Sequence, residues 1–162
     1  MTAQRLHQGL VCYRIGDPAG AFPIFDAEGS RIAPGRWNTG EGPVVYAAEH
    51  YSTAMLEKLV HGQGRLPPNQ HFIEIILDKG LSYETFSEPA HPGWDGASRE
   101  VARAFGAQWR RERRSLLLFA PSVAARMERN VIINPDHPEY AALRHSLHQP
   151  VWWDARLFGA RA

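Results

Sequence analysis

The fold is decided by a segment in which a strand pattern runs directly into a helix pattern, residues 43–61, which read PVVYAAEHYSTAMLEKLVH. Residues 43–48 have the β-branched and aromatic content of a buried strand. Residues 52–61 follow the spacing of an amphipathic helix, with Ser52 or Thr53 as the N-cap and Gly62 as the stop. The segment therefore predicts a buried strand that turns straight into a helix.

One carboxylate of this helix, Glu57, falls on the border of its apolar face. On a wheel of about 100° per residue centred on Leu56, Glu57 lies about 100° away from the centre. The predicted apolar face consists of Ser52, Leu56, Leu59 and Val60. A carboxylate on this border is solvated, pairs with a cation, or faces an internal cleft where it can serve catalysis. The turn can bring the phenol of Tyr46 to the same rim, although a core tyrosine fits the pattern equally.

Short strands and helices surround this segment in an irregular order. Further strands are predicted at residues 9–15, 72–77, 81–85, 116–119, 131–133 and 151–153, with 81–85 lying beside 72–77 across a turn. Helices are predicted from a Ser98 cap to Arg114, and over residues 139–147 with Pro138 at the first position. The connections are too uneven for a regular βαβ array. The sequence therefore predicts one α+β domain over residues 1–162, built on a mixed sheet.

Composition narrows the class of protein. The 162 residues are 44% hydrophobic and 22% charged, as in a globular domain with a core of its own. The sequence has eighteen Lys and Arg and seventeen Asp and Glu, which gives a net charge of +1. This near-neutral charge predicts neither nucleic-acid nor membrane binding. Cys12 is the one cysteine of the sequence, which excludes an intramolecular disulfide. Residues 1–8 contain no apolar region of the kind found in signal peptides. No stretch approaches the roughly 18 apolar residues that a membrane span needs. We expect a cytoplasmic enzyme or partner protein.

Two further positions can carry chemistry. Arg36 follows a Pro-Gly corner in the segment GRWN of residues 35–38, which suits an anion-binding site, although a cation–π pair with Trp37 is about equally consistent. Ser122 follows the strand at residues 116–119, where functional side chains often project, but an ordinary turn serine is the more common outcome.

Several familiar sites are not predicted. His145 and His148 have helical spacing but no third ligand, so we expect no metal site. No Gly-x-Gly-x-x-Gly, Walker loop or Gly-x-Ser-x-Gly elbow occurs, which argues against Rossmann, P-loop and serine-hydrolase chemistry. The basic residues 110–114 end a helix, where cations offset the macrodipole, and they indicate a solvated helix end or a contact for an acidic partner.

Taken together, seven segments resemble the RES-domain family, the toxins of bacterial RES–Xre toxin–antitoxin pairs. The family takes its name from an Arg, a Glu and a Ser, which correspond to Arg36, Glu57 and Ser122. The segments are YR at residues 13–14, GRWN at 35–38, PVVYAAE at 43–49, AMLE at 54–57, PS at 121–122, NVIINPDHP at 130–138 and WDARLF at 153–158.

The resemblance implies an ADP-ribosyltransferase-like fold, a split mixed β-sheet with flanking helices, whose cleft binds NAD without a Rossmann motif and without a metal. It implies Glu57, Arg36 and Tyr46 as catalytic residues, with Glu57 stabilising a ribosyl cation. The implied NAD-binding set is Arg14, Arg36, Trp37, Asn38, Tyr46 and Ser122. In that set Arg14 and Arg36 bind the diphosphate or nicotinamide ribose, Tyr46 packs on the nicotinamide, Ser122 contacts the ribose or nicotinamide end, and Trp37 and Asn38 shape the rim.

The family reaction breaks the bond between nicotinamide and ribose, and the acceptor then decides the activity. A host protein as acceptor gives mono-ADP-ribosylation, water gives NAD hydrolysis and phosphate gives phosphorolysis. No Glu-x-Glu or Gln-x-Glu pair accompanies Glu57. We expect transfer to a host protein, restrained by an Xre-family helix-turn-helix antitoxin, with NAD depletion as the alternative. A non-catalytic interaction module that uses the basic helix end is a third possibility.

Overall fold

The computed structural model describes residues 3–159, and residues 1–2 and 160–162 of the predicted domain lie outside them. The described chain forms one mixed sheet flanked by helices. Its strands are β1 Gln4–Arg5, β2 Leu10–Gly16, β3 Val45–Ala48, β4 His71–Leu77, β5 Ser82–Thr85, β6 Leu117–Pro121, β7 Arg129–Ile133, β8 Arg144–His145 and β9 Gln149–Pro150. Its α-helices are α1 Glu28–Ile32, α2 Tyr51–His61 and α3 Glu100–Arg111. Short 3₁₀ helices cover Pro138–Ala142 and Ala155–Phe158.

The strand order is β1-β5-β6-β7-β3-β2-β4-β8, and β9 also pairs with β4. The pairs are antiparallel except β5 with β6, which run parallel. The prediction of an α+β fold with a mixed sheet is therefore confirmed. Within residues 3–159, no helix combines the length and the apolar character needed to cross a bilayer.

The sheet opens between β2 and β3. β2 pairs with β4 along seven residues, and β3 pairs with β7 along four, but β2 and β3 share only the pair Tyr13 and Ala48. Beyond that pair the two strands diverge. The sheet therefore consists of two halves, and the divergence between them leaves a cleft.

Both faces of the sheet are covered at β6 and β7. Leu117 and Phe119 belong to one buried cluster, whereas Leu118 and Ala120 belong to another that includes Trp109 of α3. Successive side chains of a strand point to opposite faces. This two-sided burial explains why residues 116–119 are continuously apolar rather than alternating.

Two helices have ends that differ from those predicted. The α2 helix begins at Tyr51 with His50 at its N-cap and no side-chain cap bond, so the predicted Ser52 or Thr53 cap is wrong, while the stop at Gly62 is confirmed. The α3 helix has Arg99 rather than Ser98 at its N-cap, and it ends at Arg111 rather than Arg114.

Three other element predictions fail because long-range pairing outweighs local pattern. The strand β5 pairs with β1 and β6 rather than with β4, since the backbone of Gly80 and Leu81 bonds to Leu6 and carries the chain to the other half of the sheet. Residues 139–147 form a 3₁₀ turn and then β8, which pairs with β4, instead of a helix. Residues 151–153 run past the end of β9 and form no strand.

Candidate active site

A cavity of about 330 Å³ lies at the opening of the sheet. Its walls come from β2 and β3, from the segment between α1 and Gly35, from one side of α2 and from Asn130 at the start of β7. Glu57, Tyr46 and Arg14 all line it, so the fold brings Arg14 to the strand-to-helix segment that carries Tyr46 and Glu57. We call this cavity the cleft.

Arg14 holds the two halves of the sheet together where the backbone pairing stops. Its Nη1 donates to the carbonyl of Tyr46 on β3 over 2.7 Å, and its Nε and Nη2 donate to the carbonyls of Ile24 and Asp26. Burial lowers the pKa of this guanidinium, and the Asp26 carboxylate acts in the opposite direction. Since all three nitrogens contact backbone carbonyls, Arg14 shapes the wall of the cleft in this structure.

The Glu57 carboxylate is held by one of its two oxygens. Its Oε1 accepts hydrogen bonds from Ser122 Oγ at 2.7 Å and from Asn130 Nδ2 at 2.8 Å. Ser122 Oγ in turn accepts from the backbone N–H of Ala125 at 3.0 Å, so its proton is directed at the carboxylate. Hydrogen bonds to an ionised group are among the strongest in proteins. They orient Glu57 so that Oε2 is left without a strong partner, 3.5 Å from His61 Nε2.

The α2 helix turns the predicted apolar face outward. Leu56 is 38% exposed and Val60 is 55% exposed, whereas Thr53 and Ala54 are buried against the sheet. The side that meets the cleft carries Ala54, Glu57, Lys58 and His61, which are spaced three and four residues apart. The prediction that the Leu56 face is buried is therefore wrong, because the inward side of this helix lines a polar cleft.

Tyr46 is fixed by its hydroxyl. The phenol oxygen accepts from the backbone N–H of Trp37 at 3.0 Å and donates to Asn38 Oδ1 at 2.7 Å. Burial raises the pKa of Tyr46 well above its ordinary value. A Cβ at Gly35 would lie 2.6 Å from this hydroxyl, so the corner requires glycine. The phenol therefore stays protonated and acts as an anchored wall of the cleft.

Trp37 and Asn38 lie behind the cleft. Trp37 is buried in an aromatic cluster, 4.7 Å from Phe86 and 6.0 Å from Trp94 between ring centroids. Asn38 is also buried, and its amide donates to the carbonyls of Ser30 and Thr39. Neither side chain lines the cleft, but Asn38 Oδ1 accepts hydrogen bonds from the Gly35 N–H and the Tyr46 hydroxyl, two groups of residues that do line it.

Arg36 lies beside Gly35 and does not line the cavity wall. Its Nη1 donates to the carbonyls of Trp94 and Gly96, at 3.1 and 3.0 Å. Burial lowers the pKa of Arg36 and the neighbouring Arg99 lowers it further, whereas the carboxylates of Asp95 and, to a smaller extent, Glu57 act in the opposite direction. Among the ion pairs of residues 3–159, none involves Arg36. Its charge therefore remains available to an anion near Glu57.

The sequence reasoning missed three residues of the cleft: Asn130, Lys58 and His61. Asn130 bonds to Glu57 because β7 pairs with β3 and places it opposite Ala48, a register that no local pattern reveals. Burial lowers the pKa of Lys58, with the positive charge of Arg14 contributing. His61 had a readable signal, since it follows Glu57 by four positions on one helix.

The described residues form an α+β domain whose split mixed sheet holds the hydrogen-bonded Glu57 carboxylate in the opening between its two halves. No group of three or more potential His, Cys, Asp or Glu metal ligands occurs within residues 3–159. The RES domain model matches residues 11–154, so the chain belongs to the RES-domain family.

Known proteins similar to this chain are named as toxins. The Prs ADP-ribosylating toxin of a Sphingobium species is 34% identical over 152 residues, which cover 90% of this chain and 94% of the relative. Toxin Res of Pseudomonas putida is 32% identical over 142 residues, covering 85% and 95% of the two chains. A solved structure of the Mycobacterium tuberculosis MbcT–MbcA toxin–antitoxin complex matches with a TM-score of 0.69 at 15% identity, covering 91% of this chain and 86% of that one. This last likeness shows a shared fold.

Proposed function

We propose that the protein is a toxin enzyme that binds NAD in the cleft, breaks the bond between nicotinamide and ribose, and transfers ADP-ribose to a host protein. The observation that carries this proposal is the Glu57 carboxylate, which lines the cleft and whose Oε1 is held by Ser122 and Asn130, while Oε2 lies 3.5 Å from His61 Nε2. A fixed negative charge inside a cleft is suited to stabilise a positive charge that develops during a reaction.

The chemistry needs only one carboxylate. When the bond from ribose C1′ to the nicotinamide nitrogen breaks, the electron pair leaves with nicotinamide, which becomes neutral. The positive charge then moves to C1′ and the ring oxygen, as in glycoside cleavage. Nicotinamide therefore leaves without a general acid. Two opposite charges about 4 Å apart attract by about 4 kcal/mol at the effective dielectric of a partly exposed site, which is a useful share of a reaction barrier.

We assign roles to the other residues from the family resemblance and from their contacts. Arg36 supplies positive charge for the diphosphate, and Tyr46 is the wall on which the nicotinamide packs. Arg14 keeps the two halves of the sheet at a fixed distance, and Ser122 acts through Glu57. Trp37 and Asn38 hold the corner that carries Arg36 and Tyr46.

The choice of acceptor rests on similarity. A relative named as an ADP-ribosylating toxin supports transfer of ADP-ribose over NAD depletion. The matching toxin–antitoxin complex supports an antitoxin as the partner that restrains the enzyme, and we assign that partner to the Xre family. We place the protein in the cytoplasm, where NAD and the host target are found.

The interaction-module alternative draws less support from the structure. Arg110 pairs with Asp136 at 2.8 Å, and Arg114 pairs with Glu84 at 2.9 Å and with Glu112. Two cations of the basic helix end are thus already used within the chain.

The test uses purified protein, NAD and a bacterial lysate. Wild type releases nicotinamide and labels a discrete protein band from labelled NAD, and Glu57→Gln abolishes both. The matched control is Glu49→Gln, because Glu49 is 25% exposed, like Glu57 at 24%, but pairs with Arg129 instead of lining the cleft. Nicotinamide release without a labelled protein would move the assignment to hydrolysis or phosphorolysis. Toxicity that survives Glu57→Gln but is lost on reversing the charges of residues 110–114 would favour the interaction module.

A further inference from the structure

Capture of ribose C1′ by an acceptor leaves a proton that some group must take. The residues lining the cleft include two groups whose ordinary chemistry allows this near neutral pH, the carboxylate of Glu57 and the imidazole of His61. Lys58 is a third candidate, because burial lowers the pKa of its amine. The phenol of Tyr46 is excluded, since its raised pKa keeps the proton and its hydroxyl already donates to Asn38.

Glu57 is poorly suited to take the proton. Its negative charge stabilises C1′, and protonation would remove that charge while the carbocation still needs it. Its Oε1 is occupied by two donors. A second group beside Oε2 would separate the two tasks.

His61 lies beside Glu57 Oε2. It follows Glu57 by one helical turn, and its Nε2 lies 3.5 Å from Glu57 Oε2. This distance is longer than a direct hydrogen bond of about 2.7–3.2 Å, so neither His61 Nε2 nor Glu57 Oε2 is occupied by the other. The His61 side chain is 67% exposed while also lining the cleft, so an acceptor that arrives from solvent meets it first.

We propose that His61 Nε2 takes the proton of the hydroxyl or water that attacks C1′, an assignment that rests on the proposed function. The acceptor oxygen forms a bond to C1′, and the bond from C1′ to nicotinamide breaks with its electron pair leaving on nicotinamide. The proton of the acceptor passes to the imidazole and then to solvent. His61 thus supplies acceptor activation in a chain whose sequence lacks a second acidic residue two positions before Glu57.

The test compares His61→Gln with a matched variant at the N-cap of the same helix. His50→Gln is the control, because His50 also lies beside a carboxylate, 2.6 Å from Glu128, is 59% exposed, and does not line the cleft. Nicotinamide release from NAD is measured for the full chain at neutral pH, with and without azide, and thermal unfolding confirms that each variant is folded. Azide is a nucleophile that carries no proton, so it has no need of a base.

In water we expect His61→Gln to be about 100-fold slower than wild type, the usual contribution of general base catalysis. Azide should restore it to within about threefold of wild type measured with azide, and His50→Gln should match wild type throughout. A His61→Gln protein as fast as wild type overturns the proposal. So does a slow variant that azide fails to rescue, because the imidazole would then only shape the cleft. If Lys58→Gln alone shows azide rescue, the proton goes to Lys58 instead. A wild type that releases no nicotinamide with either acceptor refutes the proposed function itself.

Discussion

Replacing Ser122 by alanine tests whether this residue acts through Glu57 or on the substrate. The serine is fully buried, and its hydroxyl connects the backbone N–H of Ala125 to Glu57 Oε1. Alanine removes one of the two donors that hold the carboxylate and leaves the Ala125 N–H without its side-chain acceptor. The first loss lowers activity, and the second lowers stability.

The magnitude follows from the two hydrogen bonds. A hydrogen bond to a charged group contributes about 1.5–3 kcal/mol, and each 1.4 kcal/mol is about a tenfold change in rate. We therefore expect Ser122→Ala to lower kcat for nicotinamide release by about 10- to 100-fold with little change in KM. The free energy of unfolding should fall by about 1 kcal/mol, the usual net contribution of one hydrogen bond, because the partly buried Ala125 N–H loses its side-chain acceptor.

Steady-state kinetics of nicotinamide release and urea denaturation check both numbers. Ser115→Ala is the matched control, since Ser115 is equally buried and bonds to Trp109 and Leu117 rather than to Glu57. It should lower stability and leave kcat unchanged. A Ser122→Ala protein with raised KM and unchanged kcat would refute the reasoning, because the serine would then bind the ribose directly.

Two further predictions concern the corner of the cleft and its acid stability. Gly35→Ala should reduce both activity and stability, because the new methyl would lie 2.6 Å from the Tyr46 hydroxyl. The control is Gly9→Ala, which should be neutral in the same assays, because its methyl would make only an ordinary contact of 3.7 Å with the Leu77 carbonyl oxygen and Gly9 does not line the cleft. The Arg129 guanidinium lowers the pKa of Glu49 in the folded state, so this pair stabilises the fold above the unfolded pKa of about 4.3 and the contribution is lost as the pH falls through the lowered value. Urea denaturation from pH 7 downward should therefore show a smaller loss below about pH 4.3 for Glu49→Gln than for wild type, and equal losses would contradict the assignment.

Local pattern was enough to predict the central strand and helix, because residues 43–61 carry their strand and helix signals within a few positions of each other. Pairing was not predictable in the same way. The β5 strand follows β4 after a short turn, yet the bonds between Leu6 and the Gly80 backbone carry it to the opposite half of the sheet. A sequence pattern describes one element at a time, whereas strand order depends on contacts between distant elements.

In the site, too, single residues could be predicted from the sequence, whereas the contacts between them could not. The family resemblance pointed to Glu57 and Ser122, but it did not show that these two residues, 65 positions apart, are in contact. Asn130, which also contacts Glu57, is 73 positions away from it. Those contacts exist because β6 ends and β7 begins beside Glu57 of α2, which only the folded sheet reveals. The buried position of Trp37 was equally hidden, since a Gly-Arg-Trp-Asn corner looks like an exposed loop when its aromatic neighbours are far along the chain.

The most direct test of the account is a crystal structure of the Glu57→Gln protein with NAD bound. The account predicts NAD in the opening between β2 and β3, with C1′ of the nicotinamide ribose in contact with the side chain at position 57, roughly 3–3.5 Å away. The diphosphate should lie toward Arg36 and the nicotinamide against Tyr46. NAD bound elsewhere on the surface, or with its nicotinamide ribose turned away from position 57, would contradict it.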